Sequence, residues 1–199
     1  MKSTLKSKIL SGFFISLALN ILLLIVSVTG LLILRNASNN ILKNNYSSIE
    51  ASHKMLVSFA KIEISLQKIH SSSYTDFALE FNQNIDEFKY WLNKEKNIIT
   101  EPGEDRYVDL LQSNFNNYQI LLQTCIKKFS ENSNDKDIFY NQQVKPVQKN
   151  IEKLCNDIMK INENAIFHAN IHAQKVANLA ILGVILFCFL SSFLGVLYA

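Results

Sequence analysis

The sequence predicts an all-α protein: an up-down-up-down antiparallel four-helix bundle flanked by two transmembrane helices continuous with its first and last helices. Three observations carry this. Residues 9–34 and 176–198 hold no charged side chain. Between them, apolar side chains recur every three or four positions. Five Gly and two Pro in 199 residues are too few for the turns of an all-β domain, and they exclude a Gly-rich phosphate loop.

A helix needs about 20 apolar residues to cross the hydrocarbon. The two uncharged stretches, 26 and 23 residues long, are sufficient. The first follows Lys2, Lys6 and Lys8, but it exceeds the roughly 7–15 residues of a signal-peptide core and Leu31-Leu32-Ile33-Leu34-Arg35 offers no small-x-small cleavage site. It reads as an uncleaved anchor. The three lysines carry the whole net charge of +3, since the remaining bases balance the 17 acids. No basic patch is left for nucleic acid. The positive-inside bias then places residues 1–8 in the cytoplasm, spans at 9–34 and 176–198, and an extracytoplasmic segment at 35–175. Bases nearer the membrane, Arg35, Lys43, Lys160 and Lys175, weaken that orientation without reversing it. Within the spans, Gly12, Ser16 and Asn20 recur every four residues, as do Ser191 and Gly195. They are either small residues tolerated by lipid or a helix contact inside a dimer.

The first extracytoplasmic helix is expected from about Asn36 to His70, with Ile49, Leu56, Phe59, Leu66 and Ile69 on its seam, and Ser71-Ser72-Ser73 ends it. Phe77, Phe81, Ile85, Phe88 and Leu92 mark the second, which Thr100-Glu101-Pro102-Gly103 separates from the third. In the third, Tyr107, Leu111, Phe115, Tyr118, Leu122, Cys125 and Phe129 advance by threes and fours. Asn132-Ser133-Asn134-Asp135 precedes the fourth, where Val147, Ile151, Leu154, Ile158, Ile161 and Ala165 do the same as far as Lys175. That average of 3.5 is the seam of a coiled-coil-like bundle. Pro146 removes a hydrogen bond inside the fourth helix and predicts a kink. The outer helices outrun the inner two by roughly 15–18 Å at 1.5 Å per residue. Their membrane-proximal stubs lack partners from the same chain, which predicts a parallel homodimer.

Candidate chemistry is sparse. His168 and His172 form an i, i+4 pair continuing the fourth seam, open to a solvated reading or to zinc or pH sensing across a dimer axis. His53 and His70 lie too far along the helices to join them. Asn45, Ser52 and Glu63 occupy seam steps of the first helix, as ligand contacts, register-setting groups or partly exposed residues. Tyr74, Tyr90, Trp91, Tyr107 and Tyr118 read as core packing. Cys125 and Cys155 are offset by roughly 18 Å of helix, too far for a disulfide. Cys125 reads as a small buried apolar residue and Cys188 lies in the second span. No catalytic residue, cofactor or metal ligand set is expected, because a bundle without a long loop is a poor place for a nucleophilic triad.

Asn45-Tyr46-Ser47-Ser48-Ile49-Glu50-Ala51, Asn97-Ile98-Ile99-Thr100-Glu101-Pro102-Gly103-Glu104, Val144-Lys145-Pro146 and Ile161-Asn162-Glu163-Asn164-Ala165-Ile166 resemble the extracytoplasmic four-helix sensor region of bacterial KinB-like histidine kinases. The similarity covers nearly the whole chain. In that family a signal-converting coiled coil, a histidine-bearing dimerisation domain and an ATP-binding domain follow the second span. This sequence stops at Leu197-Tyr198-Ala199 with no phosphoacceptor box or ATP lid, so the resemblance implies the input half of a kinase, a fragment or truncated reading frame without catalysis of its own. The expected function is signal input by helix displacement across the membrane. Asn45, Tyr46, Pro146, Asn162 and Asn164 are the mechanical or register-setting candidates, and the stimulus is an unidentified small molecule, protein or membrane state. Two alternatives are the ligand-binding region of a chemotaxis receptor, which shares the two-span plan, and a free-standing structural or oligomerising membrane protein.

Overall fold

A computed structural model describes residues 5–67, 74–131 and 133–198; the side chains of 5–9, 37, 38, 40, 67, 74–78 and 194–198 are outside that description. Lys2, Ile69, His70, the Ser71-Ser72-Ser73 break and Asn132 lie outside the described residues, as do the side chains of Lys6, Lys8, Tyr74, Phe77 and Gly195. The chain is helical, with no strand among the described residues, and four long helices pack together. They are α1 (Leu5–Gln67), α2 (Tyr74–Lys96), α3 (Glu104–Ser130) and α5 (Lys145–Tyr198), with a short α4 (Lys136–Phe139) and a π-helical turn (Tyr140–Val144) before α5. The chain divides into two compact units, one of residues 1–41 and 167–199, the other Leu42–Ile166, and α1 and α5 contribute to both.

In the first unit the large apolar side chains are bare: Phe13, Leu24, Leu179 and Phe189 are each more than 60% exposed. Two helices are long and apolar enough to cross a membrane. Gly12, Ser16 and Asn20 are half-buried and Ser191 is buried, so the small-residue face is the covered one. The polar groups there turn back onto their own helix: Asn20 Nδ2 donates to the Ser16 carbonyl at 2.8 Å, and Thr29 Oγ1 to that of Ile25. Intrahelical bonding meets the demand that hydrocarbon would otherwise leave unmet.

The second unit has an aromatic centre. Phe88 of α2 stacks on Phe115 of α3 at 3.9 Å between ring centroids, and Phe59 of α1 meets Tyr118 of α3 at 4.9 Å. Ile151, Cys155 and Ile158 of α5 complete the core. Expected seam residues Leu111, Phe115, Tyr118, Leu122 and Cys125 are all buried on α3, as are Phe81, Ile85, Phe88 and Leu92 on α2. On α1 the seam steps Asn45, Ser52, Phe59 and Glu63 are buried, whereas Ile49, Leu56 and Leu66 are only half-buried and the covered stripe also takes in Ser48, Met55 and Ile62. All three cysteines are free thiols, and burial holds Cys125 up at about 11.

Gly103 ends the α2–α3 connection at φ 85°, a left-handed conformation that a Cβ would strain. The Glu104 carboxylate reaches back to accept the backbone N–H groups of Thr100 (3.1 Å) and Glu101 (3.2 Å), fixing the turn as α3 begins. The kink expected at Pro146 takes the form of the π turn. Lys145 N–H bonds the Tyr140 carbonyl one residue further back than in an α-helix, and Pro146 falls in the first turn of α5, where its missing N–H is not needed. The fourth helix thus runs from α4 through the π turn into α5 without a gap.

Candidate functional site

Four helices of the second unit converge on one polar layer inside an otherwise apolar core. Ser48 comes from α1, Glu95 from α2, Glu104 from α3 and Asn162 from α5, and none has any exposed surface. Each continues a seam: Glu95 follows Leu92 by three residues, Glu104 precedes Val108 by four, and Asn162 follows Ile158 by four. The helix period therefore delivers all four inward.

Ser48 Oγ is the hub. It bonds Glu95 Oε1, lies 2.9 Å from Glu104 Oε1, and accepts from Asn162 Nδ2 at 2.8 Å. Asn162 Nδ2 also donates to Glu104 Oε1 and to the Ile158 carbonyl, the latter at 3.0 Å. Asn45, one turn before Ser48, extends the layer: its Nδ2 donates to Glu101 Oε1 at 3.1 Å, and its Oδ1 faces the Thr100 hydroxyl at 3.4 Å. No basic side chain among the described residues bonds Glu95 or Glu104. Burial, opposed by the Ser48 hydrogen bond and reinforced by the nearby Glu104 carboxyl, pushes Glu95 up to about 8. Among the described residues, three buried oxygens have no hydrogen-bond partner: Glu95 Oε2, Asn162 Oδ1 and Ser52 Oγ.

A second polar group lies elsewhere in the same core. Glu63 of α1 accepts from the hydroxyls of Tyr118 and, at 3.0 Å, Tyr140. Burial raises the Glu63 carboxyl above its ordinary range despite those two bonds. It raises Tyr118 and Tyr140 as well, with the Glu63 charge adding to the effect.

Of the residues singled out from the sequence, Asn45 and Asn162 belong to this layer. Tyr46, Pro146, Asn164, His168 and His172 are exposed and outside it. The His168 ring meets Phe167 at 5.9 Å between centroids. Among the described residues no group of three His, Cys, Asp or Glu is arranged to hold a metal ion. Ser48, Glu95 and Glu104 are absent from the sequence-based candidates, although one further step along the α2 and α3 seams reaches Glu95 and Glu104. No protein-family model, curated protein or solved structure matches this chain.

Proposed function

We propose that this chain is the membrane-bound signal-input module of a KinB-like two-component histidine kinase. Residues 35–175 would face the outside of the inner membrane as an antiparallel up-down-up-down bundle, and two copies would pair in parallel. The observation that carries the reading is the polar layer. The helices that include the two apolar spans, α1 and α5, bond each other there directly, Ser48 to Asn162, and both bond the carboxyls flanking the α2–α3 turn. A stimulus acting on the α2–α3 hairpin would thus act on both outer helices at one level.

Such a layer suits a switch. Each net hydrogen bond contributes about 0.5–1.5 kcal/mol, so an alternative register that trades two or three of them lies within a few kcal/mol of the first. An apolar seam has no comparable discrete states, whereas polar groups must pair in one register or another. Displacement of α1 against α5 would then carry the signal through the bilayer as a piston, scissor or twist.

The test is a chimera in which residues 1–199 precede the converter and catalytic domains of a characterised histidine kinase. Asn162→Ala and Ser48→Ala should each shift basal autophosphorylation severalfold, while exposed Asn164→Ala leaves it near wild type. Unchanged output in both layer variants, with normal membrane insertion, would refute the proposal.

A further inference from the structure

Building on the signal-input reading, we propose that the ligand of this module is a proton, bound by Glu95 within the layer of Ser48, Glu104 and Asn162. The inference begins with a count of donors. The Ser48 hydroxyl carries one proton but lies against two carboxyl oxygens, Glu95 Oε1 and Glu104 Oε1. Glu104 has further donors: Asn162 Nδ2 on one oxygen and the backbone N–H groups of Thr100 and Glu101 on the other. Glu95 has only the shared hydroxyl, and its Oε2 is buried without a partner. Two carboxylates around one hydroxyl proton, with no base bonded to either, leave a buried charge unsatisfied. A proton on Glu95 resolves this. Glu95 then donates to Ser48, Ser48 donates to Glu104, and the negative charge sits where the other donors are.

The surroundings favour that assignment from every side. Facing Glu95 are neutral Ser48 from α1, the Glu104 carboxyl from α3, and the Cys155 thiol from α5, whose proton burial and Glu95 hold above the usual range. On α2 itself the adjacent Lys94 is engaged at the surface, 3.5 Å from Glu50 and 4.4 Å from the Trp91 ring centre. Burial and the Glu104 carboxyl place the Glu95 titration at about 8. Loss of the proton leaves two carboxylates competing for one hydroxyl. Glu95 is the penultimate residue of α2, so opening its last turn relieves the charge and breaks the tie between Ser48 and α2, leaving Ser48 bonded to Glu104 of α3.

The experiment is an infrared titration of the full chain in lipid nanodiscs, with the carboxyl carbon of glutamate isotopically labelled. A buried carboxylic-acid signal should persist at neutral pH, titrate near the expected value of about 8 and vanish in Glu95→Gln. Glu104→Gln removes the neighbouring charge and should lower the midpoint by about one pH unit or more. Fluorescence of Trp91, the single tryptophan, verifies folding of each variant. A Glu95 midpoint in the ordinary range near ~4.3, or a component titrating at about 8 that survives Glu95→Gln in a Glu63→Gln background, overturns the proton site. Such a result alongside a chimera that still responds to Asn162→Ala leaves signal input standing. The expected titration with a chimera indifferent to every layer variant does the reverse.

Discussion

Asn162 holds two side-chain partners with one amide, so Asn162→Ala strips donors from Ser48 and Glu104 together. Leaving buried acceptors without donors costs about 1–3 kcal/mol, and denaturant unfolding followed by Trp91 fluorescence should show a loss of that size. Tyr118→Phe should cost a similar amount, because Glu63 would keep only the Tyr140 hydroxyl. The pH dependence has a definite sign. Glu95 is raised to about 8 in the folded chain, against ~4.3 for an exposed glutamate. A raised group contributes stability that is complete below the unfolded value and lost as pH rises through the folded one. Unfolding midpoints should therefore fall from mildly acidic to mildly alkaline pH. Glu95→Gln should flatten most of that slope, and the remainder belongs to Glu63, which is raised in the same direction. A slope identical in wild type and Glu95→Gln would exclude Glu95 as its source.

At the scale of the elements, the α2–α3 turn depends on one backbone geometry. Nothing lies within 4 Å of a Cβ built on Gly103, so Gly103→Ala meets no clash and its penalty of about 1 kcal/mol arises from the left-handed φ alone. Pro146→Ala restores a backbone donor and should let the widened turn relax toward α, seen as slower amide exchange across Tyr140–Val144. The α2 and α3 seams were legible because almost every step is apolar and the period can be counted. On α1 the spacing makes the polar seam steps Asn45, Ser52 and Glu63 legible, whereas the apolar steps Ile49 and Leu56 lie at the edge of the buried stripe. That stripe runs through Asn45, Ser48 and Ser52, two of which answer polar groups brought by the α2–α3 hairpin. That demand is long-range and invisible within one helix. Glu95 and Glu104 were missed for the same reason, since a lone acid near a helix end looks solvated until its partners are placed.

For the whole molecule, two apolar helices and a four-helix core with a polar layer form one mechanical proposal. If two copies pair through the stubs, single cysteines from Ala165 through Lys175 should cross-link in membranes with a helical period, and a flat absence of cross-links would remove the homodimer. The exposed faces of His168 and His172 fall in that window and would be the imidazoles nearest the axis. The central claim is that the outer helices are tied to each other through the layer, and a double-mutant cycle of Ser48→Ala and Asn162→Ala, read as unfolding free energy by Trp91 fluorescence, addresses it most directly. A coupling of about 0.5–3 kcal/mol between the two positions is expected, whereas additivity within about 0.3–0.5 kcal/mol would contradict the tie.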